Sequence, residues 1–174
     1  MDLKNYIRSV KDFPKEGIMF RDITTLLLKP EVVSEALNQL YLPVKDLGIT
    51  KVAAIESRGF IFGALLADKL GAGFVPVRKK GKLPAVKYSE SYSLEYGTDT
   101  IEMHQDALSK DDVVLLHDDL LATGGTAKAA ANLIKQAGAN LACISFLIEL
   151  TFIPGRKMLE NYNVVSIIEY HDEN

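Results

Sequence analysis

The sequence predicts an α/β fold with a central, mostly parallel sheet flanked by helices. Three observations predict it. From Lys51 onward, short aliphatic and β-branched runs alternate with helix-forming runs, the pattern of consecutive βα units. Glycines stand where the helical runs should stop, Gly71 after Leu70 and Gly138 after Ala137. The chain of 174 residues is 48% hydrophobic and 25% charged, which suits one domain with a full core.

Taken in order, Leu3, Ile7 and Val10 share one face of an expected N-terminal helix that Phe13-Pro14 should end. Gly17 to Thr25 (GIMFRDITT) is apolar but interrupted by Arg21 and Asp22, and is expected as a partly buried loop. Pro30 suits the first position of a helix, with Val33, Ala36, Leu37, Leu40 and Tyr41 on its apolar face and its end between Pro43 and Gly48. Lys51 to Ile55 is expected as a strand, Phe60 to Leu70 as a helix stopped by Gly71, and Phe74 to Val77 as the next strand. Gly97 marks the turn of a hairpin within Val86 to Gln105. Val113 to Leu116 reads as a buried strand that ends at Asp118 and Asp119, because paired charges are rarely buried without partners. Ala127 to Ala137 is a helix closed by Gly138; strands at Leu141 to Ile148 and Val164 to Ile168 follow, with a short helix at Gly155 to Glu160 between them.

Composition excludes several classes. No apolar run approaches the ~20 residues of a membrane span, and MDLKNYIRSV is too polar for a signal peptide. Cys143, the single cysteine, cannot form an internal disulfide, so a cytoplasmic protein is expected. A net charge of −3 argues against general nucleic-acid binding. His104 and His171 lack metal-ligand spacing, and His117 is expected to be neutral, ending its strand and bonding a backbone group. No linker or repeat divides the chain.

The most informative stretch is Val113 to Thr126, VVLLHDDLLATGGT. Ala122, Thr123, Gly124, Gly125 and Thr126 expose backbone N–H groups at the start of a helix, where the dipole favours an anion. Asp118 and Asp119, just upstream, suit hydroxyl groups or a bound Mg²⁺. A sugar phosphate satisfies both. Glu56-Ser57-Arg58-Gly59 forms a second strand-to-helix junction; by residue type it is equally an anion site or a turn capped by Ser57. Arg78, Lys79, Lys80 and Lys82 alone would read as a solvated loop, but they follow a strand end on the side of both junctions.

Asp118-Asp119-Leu120-Leu121-Ala122-Thr123-Gly124-Gly125-Thr126 closely resembles the phosphoribosyl pyrophosphate motif of the type I phosphoribosyltransferases, their adenine-using members in particular. Ala54 to Phe60 resembles the family's pyrophosphate loop, in which members often hold a cis peptide. Ser91 to Gly97 resembles its mobile flap, and Asp12 to Ile23 its N-terminal hood. The resemblance implies a single domain over residues 1–174. It divides into a hood at 1–29, a core at about 30–151 with the flap at 82–105, and a C-terminal helix and strand at 152–174. It implies catalytic roles for Glu95, Asp118, Asp119 and Arg58, and 5′-phosphate binding by Ala122 to Thr126. Pyrophosphate would fall to Ser57, Arg58, Arg78, Lys79 and Lys82. The base would fall to Met19, Phe20, Arg21 and Leu150, largely through main chain. The implied reaction transfers phosphoribose from phosphoribosyl pyrophosphate to adenine, giving AMP and pyrophosphate in purine salvage. Mg²⁺ would arrive on the substrate near Asp118 and Asp119, in a homodimer that binds neither membrane nor nucleic acid. Two alternatives stand beside it: another purine (xanthine, hypoxanthine or guanine), or a regulator that senses phosphoribosyl pyrophosphate. For the regulator the chain has no room for an added DNA-binding domain.

Overall fold

The computed structural model describes residues 1–93 and 97–173. A 3-10 turn at Leu3–Tyr6 leads into β1 (Arg8–Lys11), which pairs antiparallel with β2 (Met19–Asp22), and α1 (Thr24–Leu27) follows. Then come α2 (Pro30–Tyr41), β3 (Lys51–Ile55), α3 (Gly59–Leu70), β4 (Gly73–Lys79), β5 (Lys87–Ser93) and β6 (Thr98–His104). The chain closes with β7 (Val113–Leu121), α4 (Gly125–Gln136), β8 (Asn140–Leu150), α5 (Gly155–Met158) and β9 (Val164–Tyr170). The main sheet runs β5-β6-β4-β3-β7-β8-β9; β4, β3, β7, β8 and β9 are mutually parallel, and the β5–β6 hairpin adds antiparallel to β4. The α/β fold expected from the alternating runs is therefore present.

Strand pleating divides the interior in two. Ala53, Leu116, Ile144 and Phe146 face α4 through Ala127, Ala130, Leu133 and Ile134. Their strand neighbours Val52, Leu115 and Cys143 face the other way, onto Val32, Ala36 and Leu40 of α2 and Phe62 and Leu66 of α3. Phe62, Leu66, Leu115 and Leu116 are fully buried, each worth about 1.5–3 kcal/mol on leaving water.

Three expectations are corrected. The N-terminal helix is a 3-10 turn and a strand: Leu3 and Ile7 are buried as expected, but pairing with β2 gives the backbone a ladder, and Arg8 and Asp22 meet across it at 2.6 Å. The loop expected at Gly17 to Thr25 is, for the same reason, β2 followed by α1. β7 does not stop before its aspartates. It stays in register with β8 as far as Leu121, opposite Glu149, so both carboxylates stand on a strand. At α2 the difference is small, since the helix stops at Tyr41, just before Pro43.

The parallel strands bring their carboxyl ends to one edge of the sheet, where ligands of open α/β sheets bind. Glu56 to Arg58 follow β3 at that edge, while Arg78 to Lys82 run on from the end of β4 and Asp118 to Thr126 from the end of β7. α3 is drawn close to the sheet because Gly63 carries no side chain: a Cβ there would lie 2.4 Å from the Cβ of Ala54. Gly63→Ala is expected to push α3 off β3 and destabilise the protein by about 1–3 kcal/mol, read as a lower unfolding temperature in calorimetry. An unchanged transition would mean that the helix shifts freely.

Candidate active site

The site is built around adjacent residues of β7. Asp119 is buried, and its Oδ2 lies 2.8 Å from Nε of Arg58, the residue that caps α3. Asp118 Oδ1 accepts a hydrogen bond from the Asp119 N–H at 2.8 Å. The approach of α3 depends on Gly59, where a Cβ would fall 2.8 Å from that same Oδ1. Burial pushes the Asp118 carboxyl well above the usual carboxylate range, and the neighbouring Asp119 charge adds to it. Burial also raises Asp119, against the opposing pull of Arg58. His117 does not end the strand as expected. It is fully buried in mid-strand and bonds a side chain, with Nδ1 2.8 Å from Ser145 Oγ; burial lowers its pKa to about 3, so it is neutral.

Beyond Leu121 the chain turns through Ala122 and Thr123 to Gly124, at φ +82°, and enters α4. Ala122, Thr123, Gly124 and Thr126 line a cavity of about 190 Å³ together with Asp118, over Phe146. One hollow therefore joins amide-rich backbone to a carboxylate.

The cationic loop is organised by Glu56, to which sequence reasoning gave no role. Its carboxylate accepts from Arg78 Nε and Nη2, both at 3.3 Å, and from the Lys79 N–H at 3.0 Å. Burial opposes ionisation of Glu56, but the Lys79 N–H and the Arg78 guanidinium hold its pKa below the usual value. Lys79 Nζ meets Asp99 of β6 at 3.1 Å, while Ser57, Lys80 and Lys82 are exposed. Ser57 does not cap α3; Arg58 holds the cap position with no side-chain bond, and the Glu56-Ser57 peptide is cis.

The hairpin lies along α4, where Glu90 accepts from Asn132 and Gln136 at 2.9 and 2.8 Å. Its far end reaches the phosphate loop. Tyr92 bonds Asp99 at 3.3 Å, and its ring would lie 3.7 Å from a Cβ placed on Gly125. Glu95, the expected proton acceptor, lies outside the described residues.

The expected base-binding segment forms an apolar cleft of about 380 Å³ lined by Val10, Phe13, Phe20, Asp22, Thr24 and Arg58. Phe13 stands edge-on to Phe20 at 5.1 Å, and Arg58 covers the Phe20 ring at 4.8 Å. The Arg21 carbonyl accepts from Arg58 Nη1 at 3.1 Å, whereas the Arg21 side chain turns away from the cleft. Its guanidinium lies 3.9 Å from the Tyr170 ring and donates to Ser9 and the Glu173 carbonyl. Met19 is half-buried opposite Lys11 on the same two-stranded sheet. Leu150 ends β8, half-buried beside Tyr170 of β9, and is not among the residues lining the cleft. Val10, which does line it, carried no distinguishing signal as a side chain of an expected helix, whereas Phe13 lay within the expected hood. Gly59 could have been found as a glycine at a strand-to-helix junction.

A mostly parallel sheet covered on both faces, with two strand-to-helix loops and an acidic pair at its carboxyl edge, defines a class, and residues 25–170 match the model of the phosphoribosyl transferase domain. The chain belongs to that family. A relative from Flavobacterium johnsoniae, an adenine phosphoribosyltransferase, is 53% identical over 98% of this chain and 100% of its own length. The crystal structure of adenine phosphoribosyltransferase from Thermoanaerobacter pseudethanolicus superposes with a TM-score of 0.94 at 48% identity, covering 97% of this chain and 98% of that one. The Saccharomyces cerevisiae enzyme complexed with adenine and an imino-altritol bisphosphate gives 0.90 at 39% identity, over 94% and 95% of the two chains. Within the family, the chain falls among the adenine phosphoribosyltransferases.

The raised pKa of Asp118 has a consequence for stability. A carboxyl whose folded pKa lies above its ordinary 3.8 destabilises the fold when ionised, fully above the raised value and not at all well below 3.8. Asp118→Asn is therefore expected to melt a few degrees higher than the parent protein at pH 7 without ligand, with the gap closing towards pH 3 to 4. Equal or lower melting at pH 7 would show that the carboxylate is not a strained group.

Proposed function

We propose that this chain transfers phosphoribose from phosphoribosyl pyrophosphate to adenine, forming AMP and pyrophosphate. The observation that carries the reading is Arg58. From one position it meets Asp119 of the acidic pair, the Arg21 carbonyl and the Phe20 ring of the apolar cleft, and it stands in the loop after β3. The subsites for sugar, base and leaving group converge there.

The amides of Ala122 to Thr126 hold the 5′-phosphate at the N-terminus of α4. Asp118 and Asp119 take the ribose hydroxyls and face the positive charge that develops on the ring as the C1′–O bond to pyrophosphate breaks. Arg58, Arg78, Lys79 and Lys82, with Ser57, receive the charge left on pyrophosphate. Phe20 stacks the base, and main chain of Met19 and Arg21 reads its edge, with Leu150 on the other side. N9 of adenine then attacks C1′ with inversion, and Glu95 takes the proton from the imidazole ring. A Mg²⁺ carried by the substrate fits these residues, since magnesium is held by one or two carboxylates together with substrate phosphates. When bound it lowers the charge of the departing pyrophosphate.

The reading extends to a cytoplasmic homodimer. The exposed Phe74 and Ile61, on β4 and α3, supply an apolar face for a second copy. Adenine is preferred to xanthine, hypoxanthine or guanine because relatives of 50% identity and above carry that specificity in their names.

Incubation with phosphoribosyl pyrophosphate, Mg²⁺ and each purine in turn is expected to yield AMP from adenine, with little product from the other bases. Efficient IMP, XMP or GMP formation would overturn the base assignment. Asp118→Asn with Asp119→Asn should lower turnover at least about a hundredfold while the protein stays folded. Glu95→Gln should lower kcat by about 10²–10⁴ and leave the affinity for phosphoribosyl pyrophosphate nearly unchanged. Unaltered turnover in either variant would remove those residues from the chemistry.

A further inference from the structure

The segment after β8 is unusually close to the phosphate loop. A Cβ on Gly155 would lie 1.9 Å from the Ala122 carbonyl oxygen and 3.0 Å from the Thr123 carbonyl carbon. A Cβ on Gly124 would lie 2.6 Å from the Gly155 carbonyl oxygen. Two stretches of backbone therefore pack against each other with no side chain between them. Such contact is held only if something presses the second stretch into place.

The second stretch is held by an ion pair whose carboxylate is buried and whose guanidinium is about half exposed. Glu149, 4% exposed, stands on β8 opposite Leu121, the last residue of β7 before the loop. Arg156 directly follows Gly155 and grips Glu149 with two parallel bonds, Nε to Oε1 at 2.8 Å and Nη2 to Oε2. Its remaining donors reach the Val164 carbonyl and Ser166 Oγ, each at 3.1 Å, and Ser166 in turn donates to Glu149. Leu159, fully buried, ties down the other end of α5. A planar guanidinium with four bonds to three residues leaves its neighbour Gly155 little freedom.

We propose that Arg156 is a positioning residue: anchored to Glu149 and Ser166, it presses the Gly155 backbone onto Ala122 to Gly124 and so fixes the loop that receives the 5′-phosphate of the substrate. This rests on the reading of Ala122 to Thr126 as the phosphate cradle. The pair lies on the outer side of the loop, bonded to β8 and β9. It acts on binding through loop geometry rather than through contact with the ligand.

The test separates the two anion sites. Ribose 5-phosphate and inorganic pyrophosphate with Mg²⁺ are titrated separately into the parent protein and into Arg156→Met, Gly155→Ala and Ser166→Ala, with unfolding temperatures recorded for each. Arg156→Met and Gly155→Ala should weaken ribose 5-phosphate binding by about tenfold to a hundredfold and pyrophosphate binding by no more than about twofold. Ser166→Ala should weaken ribose 5-phosphate binding by about threefold, because it removes two bonds of the network but leaves the paired bonds between Arg156 and Glu149. In kinetics, KM for phosphoribosyl pyrophosphate should rise more than kcat falls. Equal losses for both ligands would make the network a general structural support and overturn the proposal, as would unchanged ribose 5-phosphate binding. If the first two variants fail to fold, Ser166→Ala decides by the same criterion. Failure of the parent protein to bind ribose 5-phosphate would remove the cradle reading and the proposal with it, which distinguishes that case from failure of the variants alone.

Discussion

The ion pair between Arg58 and Asp119 is the constraint on which the cleft depends. Two carboxylates on adjacent residues of one buried strand repel each other and lose hydration, and both effects oppose ionisation. Arg58 offsets this for Asp119 only because α3 begins beside the end of β7, and α3 can begin there only because Gly59 and Gly63 leave room for it. The same guanidinium then holds the main chain of Arg21 and covers Phe20. A single side chain thus couples the rigid sheet to the outlying two-stranded unit that forms the apolar cleft.

Two further cations, Arg78 and Lys79, are held in a similar way by the protein's own carboxylates. Glu56 gathers Arg78 and the Lys79 N–H, and Asp99 takes the Lys79 ammonium. An anionic ligand entering this loop meets guanidinium and ammonium groups already oriented by partners on β3 and β6. Orientation before binding reduces the side-chain entropy lost when the ligand arrives. Electrostatic order and loop shape are therefore set by the same contacts.

The elements divide by how firmly they are fixed. β3, β7 and β8 are buried on both faces; β7 carries the acidic pair and runs into the loop at Ala122 to Thr126, against which Gly155 packs closely. The N-terminal sheet and the β5–β6 hairpin lie at the margins. The first is tied by Arg8 to Asp22 and by Arg21 to the C-terminal backbone, the second by Glu90 to α4 and Tyr92 to Asp99. The acidic pair sits on the first set, and Val10 and Phe20 of the apolar cleft belong to the second.

Much of this was legible in the residues. Period-2 and period-3.6 patterning located β3, α3, the hairpin, α4 and β8, because those elements bury one face or both and their composition follows from burial. The turn at Ala122 to Thr126 that opens α4 was legible because small residues separate an apolar run from a helix-forming one. What escaped was decided by partners far away in sequence. Arg8 to Lys11 is a strand only because Met19 to Asp22 lies beside it, and β7 runs through its aspartates only because β8 and Arg58 accompany them. The role of Glu56 as a clamp, the closeness of Gly155 to Ala122 and the turning of Arg21 away from the cleft belong to the same class. The sequence by itself determined the fold class, since that rests on local pattern. Tertiary structure decided which carboxylate meets which cation, because that depends on distances between strands that no local pattern encodes.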